Sequence, residues 1–203
     1  MNQPLRLQPE TIAPIQRTRA AWNQALLGAA SAADNRLILD LEAAGRIDAG
    51  LIASLALVEQ ELIRRGGTLR LHATDPNVRA LIALAGLLRL LPAAGGPPLD
   101  LLCATTFGDD QISVTVQHDI GLNPRLSNPA NHGWIGRVAM LRATIDLGEL
   151  SHVNSVIVAW LLQLAQAAKP AELVLINVNR QVVIQFNQLR LNHVLKVQAR
   201  VDG

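Results

Sequence analysis

Residues 36–66 read RLILDLEAAGRIDAGLIASLALVEQELIRRG. The apolar run from Arg36 to Leu41 is too continuous to face water on one side, which predicts a buried central strand. A short polar turn then closes on Asp48, a side chain suited to capping a helix. Leu51, Leu55, Val58 and Leu62 come next at helical spacing and predict an amphipathic helix over 49–65. Gly66-Gly67 ends it, where glycine accepts the left-handed conformation of a helix exit. A strand feeding a helix that returns to a strand implies parallel pairing through a right-handed crossover.

The same pattern returns at residues 142–172, RATIDLGELSHVNSVIVAWLLQLAQAAKPAE. Asp40 and Leu41 recur 106 residues later as Asp146 and Leu147, and the helix stripe recurs as Ile157, Leu161, Leu164 and Ala168. Beyond Lys169-Pro170 the offset becomes 104: Leu69, Leu71, Val78 and Leu87 fall on Leu173, Leu175, Val182 and Leu191. Apolar positions fall on apolar positions, so the chain reads as two diverged copies of one α/β unit.

Outward from the first stretch, residues 4–8 alternate as a short strand. Thr11 can cap a helix running to about Ala30, with Ile12, Ile15, Trp22 and Leu26 on one stripe that Arg19 interrupts. Thr68 to Ala73 predicts a strand, and Asp75-Pro76 opens a further helix with proline in its first turn. PAAGGPP at 92–98 is the expected boundary between domains 1–94 and 95–203. Past it, runs 99–106 and 111–117 flank Gly108-Asp109-Asp110 as a hairpin. Residues 118–135 read as a long loop standing where the first copy has a helix, with a short helical remnant at 135–141 and an edge strand at 194–201. The expected fold is α/β: two tandem domains, each a small, largely parallel sheet packed by helices.

Composition narrows the function. Half of the 203 residues are hydrophobic but only 2% are aromatic, so the core must be built from aliphatic side chains. A net charge of +2 without basic runs gives no field for nucleic acid, and five scattered aromatics give no stacking platform. Cys103 is the lone cysteine, and His72, His118, His132, His152 and His193 lack zinc-type spacing, so no metal or cofactor is expected. No nucleophile elbow or phosphate loop is present, so the expectation is a non-enzyme. The N-terminal residues lack a signal-peptide pattern and no apolar run is long enough to span a bilayer, so a cytoplasmic location is expected.

Residues 4–91 resemble the STAS domain, named for sulfate transporters and anti-sigma-factor antagonists. The resemblance rests on the strand ending LDL, the turn ending RID, the helix closing on RRGG, the strand TLRLHAT and the run DPNVRALIALAGL. The second copy resembles the family from 142 to 195 through IDLGELSHVNS and LVLINV. The resemblance implies a bacterial regulatory or scaffold protein that binds an anti-sigma factor or related serine kinase. It implies a switch in which a Ser or Thr directly after a turn Asp is phosphorylated at the helix start. That position is Ala49 after Asp48 in the first copy, and Ser155 after Asn154 in the second. The same resemblance leaves two alternatives: an accessory subunit of a lipid-transport ABC system, and a homo-oligomeric assembly module.

The candidate partner-binding residues are Asp48, Ala49, Gly50, Asn154, Ser155, Val156 and Trp134, with Ser155 the candidate phosphoacceptor. Each has a plainer reading. Ser155 is also an ordinary residue for a helix start, and Asp48 and Asn154 serve as N-caps. Asp40 and Asp146, at strand ends, either orient the turns beside them, the plainer reading, or contact a partner. Trp134 is either an exposed anchor or a plug for the space left by the missing helix, and Trp160 is core or subunit contact.

Overall fold

The structure is a computed structural model that describes residues 5–7, 18–42, 44–92, 103–117 and 120–200. In its first half, β1 (Leu5–Leu7), β2 (Arg36–Asp40) and β4 (Thr68–His72) form an all-parallel sheet in the order β1-β2-β4. Helices α1 (Arg19–Ser31), α2 (Ala49–Arg64) and α3 (Pro76–Leu84) complete this half. β2 is the central strand, as its unbroken apolar run requires. Thr11, Ile12 and Ile15 lie outside the described residues. Within them, α1 starts at Arg19, and the Thr18 side chain caps it by accepting from the Ala21 amide.

Local chemistry fixes the joints. Asp48 Oδ1 accepts from the Gly50 amide at 2.8 Å, so the expected cap is present. Asp75 does the same for Asn77 and Val78, with Pro76 beside it. Gly66 leaves α2 with φ +74°, and Gly67 passes so close to Asn35 that an added Cβ would lie 2.0 Å from its carbonyl oxygen. Only glycine permits that approach of two backbones.

Asp40 closes the carboxyl end of this sheet. Its carboxylate accepts from Arg6 of β1 at 2.6 Å, meets His72 of β4 at 3.1 Å and accepts from the Glu42 amide at 3.1 Å. Burial pushes this carboxyl up, but the Glu42, His72 and Arg6 contacts outweigh it and hold it below the ordinary 3.8. A carboxyl lowered on folding contributes stability above its unfolded pKa, and that stability is lost as pH falls through the folded pKa. Denaturant midpoints tracked from neutral pH down to about pH 2 should therefore fall more steeply in the wild type than in Asp40→Asn. The two curves should approach each other at the acid end.

The second half holds a five-stranded sheet, β10-β9-β8-β6-β5. β5 (Cys103–Phe107) and β6 (Gln111–Val116) form the expected antiparallel hairpin. β8 (Arg142–Asp146), β9 (Glu172–Val178) and β10 (Lys196–Ala199) add in parallel. Helices α4 (Ser155–Ala168) and α5 (Arg180–Gln188) join them. The succession β8-α4-β9-α5 repeats β2-α2-β4-α3.

Two expectations need correction. Residues 118–135 are not an open loop: from Ile120 on they wind through successive 3-10 turns at Ile120–Leu122, Pro124–Ser127, Pro129–Asn131 and Gly133–Arg137. Prolines at 124 and 129 suit the first position of such turns and bar a continuous helix. The expected helix at 135–141 is absent. The last 3-10 turn runs into a two-residue strand, β7 (Val138–Ala139).

β7 pairs in parallel with β3 (Ile47–Asp48), the two residues that lead into α2. Arg137 donates to the Ala44 carbonyl at 2.8 Å and lies 3.6 Å from the Asp75 carboxylate, while Arg46 donates to the Lys169 carbonyl. The buried apolar side chains of both halves form one continuous core. Accordingly α2 buries Ile52, Ser54 and Glu59 beside the expected stripe, a broader face than one sheet requires.

Candidate functional site

The two helix starts have the same sequence role and opposite environments. At α2, Asp48 is 4% exposed, Ala49 is 0% exposed and Gly50 is buried. The β3–β7 pair, with Arg137 and Lys169 on the loop before it, sets the second half against this helix start. As a surface for an outside partner, Asp48, Ala49 and Gly50 are therefore corrected: they are internal.

At α4 the start is open. Asn154 caps the helix, its Oδ1 accepting from the Ile157 amide at 2.9 Å and its Nδ2 donating to the Gly121 carbonyl at 2.9 Å. Ser155 is exposed, and Val156 keeps 37% of its surface. Leu122, next to the Gly121 that braces the cap, is 82% exposed. The result is an exposed hydroxyl at the first helical position, with the half-exposed Val156 next to it in sequence.

Trp134 is not an exposed anchor. It is 0% exposed and belongs to the shared core, so the plug is the reading the structure supports. Trp160 is also core, its indole N–H donating to the Asn131 carbonyl at 2.9 Å. Asp146 orients its turn, with Oδ1 accepting from the Gly148 amide at 2.8 Å. His118 lies outside the described residues. Among the described residues no cluster of His, Cys, Asp and Glu is placed to hold a metal, and no helix is long and apolar enough to cross a membrane. Burial pushes the Cys103 thiol up to about 11, which keeps it protonated and a poor nucleophile.

The capped strand-turn-helix of the first half falls within a match to a known family. Residues 15–100 match the STAS domain. The first half is thus similar to a STAS domain over those residues, and its mixed α/β structure with a parallel sheet agrees. The STAS match ends at residue 100, and no curated protein matches the chain. Within the matched residues, the first residue of α2 is Ala49, which has neither a hydroxyl nor access to solvent.

Sequence reasoning missed the residues that close off the first half's helix start. Val138 and Ala139 form too short a strand for any periodicity to show. Arg137 gave no sign that it reaches Ala44 and Asp75.

Proposed function

We propose that the protein is a non-catalytic binding module with two STAS-like units, in which the second unit's helix start, Asn154 to Val156, meets a protein partner and Ser155 switches the contact. The supporting observation is the asymmetry of the two helix starts: Asp48–Gly50 is buried within the chain, while Ser155 and Val156 are exposed. A phosphate on Ser155 would sit at a helix N-terminus, where the backbone tolerates it. Its charge of about −1.5 to −2 would oppose docking of an apolar or acidic surface. By likeness to the antagonist branch of the STAS family, the partner is an anti-sigma factor or related serine kinase.

Partners captured from the source cell supply the binding assay, and a kinase among them supplies the modification assay. The expected results are phosphate on Ser155 by peptide mass spectrometry and binding weakened about tenfold or more in Ser155→Asp, the scale of one lost contact at an interface centre. Phosphate absent from Ser155, together with unchanged binding in Ser155→Asp, would sink the switch.

A further inference from the structure

The two halves treat one carboxylate differently. Asp40 and Asp146 end corresponding parallel strands, and each accepts the amide of the residue two further on. In the first half two basic side chains close over the carboxylate, Arg6 from β1 and His72 from β4. In the second half both are replaced. Arg6 sits opposite Ile38, and the matching position opposite Thr144 is Ser113, whose hydroxyl bonds Thr144 at 2.9 Å. His72 sits opposite Asp40, and the matching residue opposite Asp146 is Ile176. The group that reaches Asp146 is the neutral amide of Asn177, at 2.8 Å, from a residue held at φ +56°.

Beside Asp146 the end of the second sheet is open. A crevice of about 490 Å³ lies at the carboxyl ends of β6, β8 and β9, lined by Thr115, Asp146, Glu149, Asn177 and Arg200. The carboxyl ends of parallel strands are where open α/β sheets take ligands, and this volume is in the range of small-molecule sites. Among the described residues Asp146 has no cationic partner and Arg200 no acidic one. Both charges line one crevice without an ion pair joining them.

We propose that this crevice binds a small zwitterion of the α-amino-acid class, its ammonium group on Asp146 beside Glu149 and its carboxylate on Arg200. The ammonium gives Asp146 the basic contact that Asp40 receives from Arg6 and His72 in the first half. A guanidinium offers a carboxylate two parallel donors, which fixes the ligand's orientation. A cation alone leaves Arg200 unpaired, and an anion alone leaves Asp146 unpaired.

The test uses the full chain, titrated calorimetrically and by thermal shift with each of the common free α-amino acids, with 1,4-diaminobutane and with acetate. At least one amino acid should bind saturably and raise Tm, with the two half-ligands weaker by about tenfold or more, the worth of a charge-assisted contact. Asp146→Asn keeps the acceptor for Gly148 and should lower affinity about tenfold with an unchanged circular dichroism spectrum. Arg200→Gln, at an exposed position, should do the same and decides the matter if Asp146→Asn does not fold. Absence of saturable binding by every amino acid overturns the proposal. So does binding that both variants leave unchanged, or a diamine that binds as well as the amino acid.

Discussion

Trp134→Ala is expected to destabilise the protein by about 3–5 kcal/mol, the usual cost of emptying a buried tryptophan site. The side chain is fully enclosed and comes from the 3-10 turn that packs between α3 and α4. That turn is held between two helices, so the surroundings can close only part of the gap. Equilibrium denaturation should show a lower midpoint. Trp134→Phe should retain most of the stability, with a loss of about 1.5 kcal/mol or less, because an aromatic ring still fills most of the space. If alanine costs no more than phenylalanine, Trp134 is not the plug the packing makes it.

Ala49→Glu is expected to cost roughly 3 kcal/mol or more, since it places an unpaired carboxylate in the core. The favourable end of the helix dipole returns at most about 1–2 kcal/mol of that. Ser155→Asp makes the related change at the other helix start, where water remains, and should leave stability within about 0.5 kcal/mol. Measuring both variants by urea unfolding separates the two helix starts directly. Equal losses, or a tolerated Ala49→Glu, would contradict the burial difference on which the proposed function rests.

Much of this molecule could be read from residue patterns because the patterns are local. The stripe Leu51, Leu55, Val58, Leu62 and the caps Asp48 and Asp75 each act within a few residues, and all fall where periodicity and capping chemistry put them. The turns between Ile120 and Arg137 were not legible, because 3-10 turns break the 3.6-residue period and the prolines interrupt it again. The status of Ala49 was hidden for another reason. The residues just before it, Ile47 and Asp48, pair with Val138 and Ala139, far away in sequence, and two residues carry no pattern. The site candidates thus divided by range: Asn154 and Ser155 are governed by their own helix, whereas Asp48, Ala49 and Trp134 are governed by contacts between halves.

The β3–β7 pair also bears on how the chain folds. A chain ended at residue 100, where the STAS match stops, has no β7 to pair with β3 and no Arg137 for the Ala44 carbonyl. During synthesis the first sheet can form early, but the loop holding Ile47 and Asp48 must wait for Val138 and Ala139 to emerge. Closing so long a loop is an entropic cost set against folding rate more than stability. The recognisable domain is therefore smaller than the unit that completes its own folding.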